Sequence, residues 1–422
     1  MKKYDSYKDS GIEWIGEIPL HWQIKRVKHT TYVKGRIGWQ GMRSDEFLQS
    51  SDSYVVTGTD FEKGRVKWET CYQVPMERYE EDPFIQLRNG DLLITKDGTI
   101  GKVAVVKDIP KIATLNSGVF LTRPIDDSYV PEFMFWILYS DVFKTFYDYN
   151  KSGSTIQHLY QNVFNEFKFP LPSINEQTTI ANYLDQKTRQ IDNLIAKKEA
   201  LTQLLEEERT VVVNNAVTKG LDTKVPMKDS GIEWLGDIPE HWKVKKIKFI
   251  AILKSGENIT SESIKEVGDY PVYGGNGLRG FYSEFTNDGD YILIGRQGAL
   301  CGNIKYARNR FWASEHAIVC YLEPDNNWLW FGKLLESMNL NQYNQSAAQP
   351  GLAVGVIKNL SIPFPSIEYQ NEIVEFIIDY EKKTNEIVEK TKNEIGLLKE
   401  YKIALISEVV TGKVNVRDEN LN

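Results

Sequence analysis

Residues 8–28 read KDSGIEWIGEIPLHWQIKRVK, and residues 228–248 read KDSGIEWLGDIPEHWKVKKIK. Fourteen of the 21 positions are identical at an offset of 220, and several others are conservative, such as Ile15 for Leu235 and Glu17 for Asp237. A match of that length is an internal repeat, and a repeat decides the architecture before any single element does. A second pair lies downstream, FPLPSINEQ at 169–177 and IPFPSIEYQ at 362–370, at an offset of 193. The chain therefore runs repeated block, variable region, second repeated block, and then the same order again. The differing offsets mean that the two variable regions differ in length.

Each second block opens a helix. Pro170 and Pro172, like Pro363 and Pro365, hold the entry extended, and Ser173 or Ser366 stands where a cap is expected. About forty residues without proline follow in each copy. A heptad frame places Leu184, Ile191, Leu194, Leu201 and Leu205 on one seam, with Ile373, Ile377, Ile387, Leu398 and Leu405 on its counterpart. Equal lengths predict that the two helices pair; two unrelated amphipathic helices lying on globular cores are the alternative. A helix of about 42 residues rises roughly 60 Å, so the pair would serve as a rigid spacer.

Between the blocks the chain reads as strands. Gly90–Thr95 (GDLLIT) and Gly289–Ile294 (GDYILI) enter through Gly-Asp turns and lead into the polar glycine turns Lys96–Gly101 and Arg296–Gly298. Strand-like Lys102–Val106 and Asn303–Tyr306 follow. The two variable regions share a plan and differ at the loops, as a scaffold reading two different targets would.

Composition bounds the rest. With 422 residues, 41% hydrophobic and 26% charged, the chain has material for two or three domains, and 12% aromatic content argues against disorder. No apolar run is long enough to span a membrane, and the N-terminus lacks the apolar stretch of a signal peptide. Cys71, Cys301 and Cys320 form no C-x-x-C and are odd in number, which fits a reducing, cytoplasmic location. The net charge is −7, but residues 175–220 (6 basic, 7 acidic) and 368–422 (8 basic, 12 acidic) carry −5 of it. The variable regions are thus nearly neutral, with basic runs at Lys25–Lys28 and Lys243–Lys248, and a polyanionic partner is compatible with the acidic whole.

Catalytic and cofactor motifs fail on inspection. Gly275–Gly280 matches G-x-G-x-x-G, yet Phe281–Phe285 after it is strand-like rather than a first helical turn. Gly101-Lys102 is followed by Val103 where a P-loop needs Ser or Thr. The histidines (His21, His29, His158, His241 and His316) lack metal spacing, and no metal site is expected. No G-x-S-x-G elbow occurs. A polymer hydrolase using Asp288 with Asp290, or Asp97 with Asp91, draws no support from spacing; a tandem-repeat scaffold binding only proteins stays open. What remains suits double-stranded DNA. Arg36, Trp39, Gln40 and Arg43, Lys96 and Thr99, and Ser152 and Ser154 offer donors in the first half. Asn276, Arg279, Arg296, Gln297 and Gln349 do so in the second. Arginine and lysine read guanine, while Asn and Gln read adenine.

Taken together, these segments resemble the specificity subunit of type I restriction-modification enzymes. The Lys8–Lys28 and Lys228–Lys248 repeats, the two Gly-Asp strands, the two Pro-x-Pro-Ser-Ile entries, Tyr273–Gly277 and Arg296–Gly302 carry the likeness over nearly the whole chain. The resemblance implies an α+β fold with two target-recognition domains of mixed twisted sheets in pseudo-twofold tandem repeat, separated by two long antiparallel coiled-coil helices. It divides the chain at 1–168, 169–220, 221–361 and 362–422. It further implies an asymmetric bipartite DNA target, two methyltransferase subunits, restriction subunits in the full complex, and no catalytic residue or cofactor on this chain. S-adenosylmethionine, ATP and magnesium would sit on the partners.

Overall fold

The computed structural model describes residues 2–37, 41–150, 158–298, 300–344 and 351–419. The chain divides into two compact units. The first comprises Met1–Lys198 with Asn393–Asn422, the second Glu199–Lys392. This partition differs from the expected division into four consecutive segments. Two long helices, Ile174–Lys219 and Ile367–Val410, each contribute one half to each unit. Each unit packs its own half-helices into its core, Ile180, Leu184 and Leu405 in the first and Val217, Ile373 and Ile377 in the second.

In the first unit the central sheet runs in the order Thr31–Gly35, Val119–Pro124, Leu92–Thr95, Val103–Val105, Arg65–Val66, Phe61–Glu62. The Leu92 strand is buried throughout, because both its faces are covered. Alternation along the strand explains how. Leu93, Ala104 and Leu121 point toward the three-stranded sheet of Ala113–Leu115, Ser53–Val56 and Tyr72–Val74. Leu92, Ile94 and Phe120 point the other way, into the core formed with Phe133, Trp136 and Ile137 of the helix Pro131–Tyr139. In the second unit, Ala251–Ser255, Ala317–Leu322, Tyr291–Gly295 and Ile304–Ala307 form the corresponding sheet. A second sheet there holds Gly277–Tyr282, Tyr270–Gly274, Arg310–Ala313 and Asn287–Asp288.

The two repeated sequence blocks turn out to be structural partners. Gln23–Arg26 pairs antiparallel with Lys168–Leu171 (Lys25 opposite Phe169), and Lys243–Lys246 pairs with Ser361–Phe364 (Lys245 opposite Ile362). The strand that enters each variable region is thus bonded to the strand that leaves it. Upstream hairpins, Tyr7–Asp9 with Glu17–Pro19 and Met227–Asp229 with Asp237–Pro239, bring Trp22 and Trp242 into full burial. Both helix entries are capped as expected: Ser173 and Ser366 Oγ accept from Glu176 and Tyr369 N–H, each at 3.4 Å. Both helices also end on left-handed glycines, Gly220 (φ +80°) and Gly412 (φ +74°), which only glycine adopts without strain. A Cβ on Gly412 would lie 2.4 Å from Pro19 Cδ, so the helix end sits directly on the first repeat. Beyond it, Asn415 N–H donates to Lys2 O at 2.9 Å, which closes the first unit with both chain ends.

The helices pair within each unit. In the first, Asp192 meets Lys402 at 2.7 Å and Lys198 meets Glu394 at 2.6 Å, so one number rises as the other falls and the halves are antiparallel. In the second, Arg209 donates to Asn385 at 2.9 Å. The seam departs from the expected heptad in one respect. Leu184, Ile191, Ile373, Ile377 and Leu405 are buried, and Leu205 and Leu398 are half-buried. Leu194, Leu201 and Ile387, by contrast, are 43%, 44% and 49% exposed. Burial steps from Ile180 to Leu184 to Thr188, then Ile191 and Ile195. Two successive four-residue steps move one of the two seam rows forward by a residue, toward the straight-helix period. The second helix shifts in the same direction, with Val388 buried in place of the neighbouring Ile387 and Ile395 following seven residues on. Thr188 and Thr391 tolerate the interior because their hydroxyls donate to Leu184 O (2.6 Å) and Ile387 O (2.8 Å).

Candidate nucleic-acid interface

The two polar turns singled out from sequence occupy equivalent places in their units. In the first, Lys96 N–H donates to Gly118 O (2.9 Å), Leu159 N–H donates to Lys96 O (2.8 Å), and Asp97 bridges to His158. In the second, Arg296 N–H donates to His316 O (2.8 Å), Leu352 N–H donates to Arg296 O (2.8 Å), and Gln297 bridges to Gly351. Lys96 therefore corresponds to Arg296, and each turn is clasped between the same two chain segments. Both end a central strand, buried throughout in the first unit and from Ile292 onward in the second, which fixes the backbone while the side chains vary. This is how a rigid scaffold presents a binding loop.

In the first unit, Lys96 is half-buried with its ammonium 5.1 Å from the Phe120 ring centroid. Thr99 is exposed in the same turn, and its carbonyl accepts from Thr95 Oγ1 at 2.6 Å. Arg43 is 80% exposed but lies in a separate loop beside Asp45. Trp39, Gln40, Ser152 and Ser154 lie outside the described residues, as does Gln349.

Arg36 is a correction. It is fully buried, and its guanidinium donates to Leu115 O (2.8 Å), Glu81 Oε2 (2.8 Å), Arg78 O (3.1 Å) and Thr114 Oγ1 (3.2 Å). Burial lowers its pKa from the usual arginine value, with Glu81 opposing. Its donors are satisfied inside the unit, so it ties loops together and is not free to meet a base. The basic run at Lys25–Lys28 is likewise partly neutralised, since Arg26 and Lys28 both pair with Glu166, at 3.0 and 2.6 Å.

In the second unit the structure assembles the predicted residues more closely. Asn276, Arg279 and Gln297 are exposed and Arg296 is half-buried. The hairpin turn at Gly274–Gly277 lies against the Arg296 turn: a Cβ on Gly295 would lie 2.1 Å from Gly275 O, and one on Gly275 3.1 Å from both Gln297 O and His316 O. Only glycines permit that approach, and it brings Asn276, Arg296 and Gln297 to one edge. Asn276 Oδ1 accepts from Asn303 at 3.4 Å, and the Arg279 stem folds over Gly274.

Residues missed from sequence join both edges. His158 is paired with Asp97, and His316 Nε2 lies 3.1 Å from Glu315 Oε1. Metal spacing is blind to such pairs, and no local pattern marks them. Among the described residues no group of His, Cys, Asp or Glu could hold a metal ion, and no helix is long and apolar enough to cross a membrane. Cys71, Cys301 and Cys320 are buried, and burial pushes all three thiols up, away from nucleophilic use.

The family described as the type I restriction modification DNA specificity domain matches residues 45–203 and again 239–397. The Escherichia coli type I restriction enzyme EcoprrI specificity subunit is 42% identical over 154 residues, covering 36% of this chain and 38% of its own length. A putative type I restriction enzyme MjaX specificity subunit from Methanocaldococcus jannaschii is 25% identical across 96% of both chains. Among solved structures, the HsdS subunit of Thermoanaerobacter tengcongensis matches with a TM-score of 0.61 at 14% identity, over 94% of this chain and 98% of that one. A chain solved in work on complex assembly and conformational transition of the type I R-M system matches with a TM-score of 0.72, also at 14% identity, over 94% and 99%. With two copies of the domain, each enclosing one clasped polar turn, this chain belongs to the type I restriction modification DNA specificity family.

Proposed function

We propose that the two units each read one half of an asymmetric, bipartite double-stranded DNA target, and that the chain does so as the non-catalytic recognition subunit of a type I restriction-modification complex. The observation that carries this reading is one clasped turn built twice on matched strands with different side chains, Lys96–Thr99 in one unit and Arg296–Gln297 in the other. Identical scaffolds with unlike tips suit two half-sites of unlike sequence. In this reading two copies of one methyltransferase dock on the chain, supported by the duplicated first block. Apolar side chains left outside the helix seam, Leu194 in the first unit and Leu201, Leu204 and Ile387 in the second, offer surface for protein partners. Restriction subunits complete the assembly, S-adenosylmethionine, ATP and magnesium are held by the partners, and the complex works in the cytoplasm. The test is an electrophoretic mobility shift of the methyltransferase-bound chain on genomic fragments. Sequence-selective, salt-sensitive retention is expected; no retention at low salt overturns the reading.

A further inference from the structure

Both reading edges hold an imidazole–carboxylate pair beside the cationic residue, and the pairs arise at unrelated positions. In the first unit, His158 of the segment that clasps the turn meets Asp97 within the turn. In the second, the positions equivalent to these two are Gly351 and Gln297, and the pair comes instead from the Ser314–His316 turn.

The Ser314–His316 turn carries the sharper signal. His316 O accepts from Arg296 N–H at 2.8 Å, so the turn is fastened to the reading edge. Its counterpart in the first unit is Asn116-Ser117-Gly118, which makes the same bond to Lys96 with no long side chain. Glu315 and His316 are therefore not needed to build the turn. They also leave polar atoms unused: Glu315 Oε2 and His316 Nδ1 are buried without a hydrogen-bond partner. Such groups destabilise a folded chain and call for an explanation. The side chains are 31% and 40% exposed, so neither is sealed inside the unit.

We infer that Glu315 and His316 are specificity-determining residues of the second unit, acting with Arg296 and Gln297 at one base pair of its half-site. A carboxylate accepts from a base amino group, as on cytosine, and His316 orients it through the 3.1 Å contact. The inference rests on the DNA-reading function proposed above.

The test is genome-wide mapping of methylation by the complex with its own methyltransferase, for wild type, Glu315→Gln, and the double variant Glu315→Ser/His316→Gly. The double variant copies the first unit's turn, so its backbone is one this fold already makes. Both variants are expected to relax discrimination at a single base pair of one half-site by roughly ten- to a hundredfold, with the other half-site unchanged. An unaltered motif in both variants overturns the inference and leaves the DNA-reading proposal standing. Uniform loss of methylation with no change of motif also overturns it, since that marks a structural role rather than base readout. If the wild-type complex shows no bipartite motif at all, both fall together.

Discussion

Replacing Arg36 separates a structural arginine from a reading one. Its guanidinium makes four hydrogen bonds, three of them to groups that stay in the first unit's interior: Leu115 O, Arg78 O and Thr114 Oγ1. The fourth goes to Glu81, which retains a second contact with Arg78 at 3.0 Å and enough exposure to be hydrated. Arg36→Ala therefore strands buried acceptors rather than a buried naked charge. Each orphaned acceptor costs about 1–3 kcal/mol, so the three together cost on the order of 3–5 kcal/mol. A loss of about 3–5 kcal/mol lowers the melting temperature of a unit of about 200 residues by roughly 6–20 °C. Scanning calorimetry measures this, and methylation mapping below the new melting point reads the motif. The expected result is a large fall in stability with the recognised sequence unchanged. Normal melting with altered discrimination at one base pair would refute the reasoning and restore Arg36 as a base contact.

The reading edge and the helices can be perturbed in the same way. Arg296→Ala should cost about 1–3 kcal/mol at one base pair of one half-site, measured by competition binding; a loss uniform across sequences would make it a phosphate contact. Gly295→Ala places a Cβ 2.1 Å from Gly275 O, so it should push the Asn276 hairpin away and weaken recognition of that half-site, again read by competition binding. The three buried cysteines should resist alkylation in the native protein and react together on unfolding; fast native labelling at neutral pH would contradict their raised pKa values. Four residues inserted near Ala200 add about 6 Å of rise. If the helices set the spacing, the gap in the target should grow by about one or two base pairs of roughly 3.4 Å, and an unchanged gap with normal activity would show that they do not.

Much of the fold is legible in the sequence because of repetition. The repeated blocks at 8–28 and 169–177, with their copies, mark the strands that pair and the helices that follow, and the Gly-Asp turns mark both central strands. The helix seam is legible only partially. A heptad count weights leucines, but Leu194 and Leu201 face outward while Thr188 faces inward, and a hydroxyl bonded to the preceding turn hides that from a hydropathy pattern. At the site, turn positions are legible from glycine and polarity, which is why Lys96, Arg296 and Gln297 share an environment. Arg36 is not legible, because exposure of an arginine follows from tertiary partners such as Leu115 and Glu81, far away in sequence. The same distance hides the pairing of His158 with Asp97, which are 61 residues apart.

The most direct test of two independent readers is to replace residues 249–358 with the corresponding segment of a relative and map methylation across a genome. Both boundaries fall beside the strand pair Lys243–Lys246 and Ser361–Phe364, so the exchanged segment enters and leaves through an intact clasp. One half of the bipartite motif should change to that of the donor while the other half is retained. A change in both halves together, or in neither, would contradict independent reading.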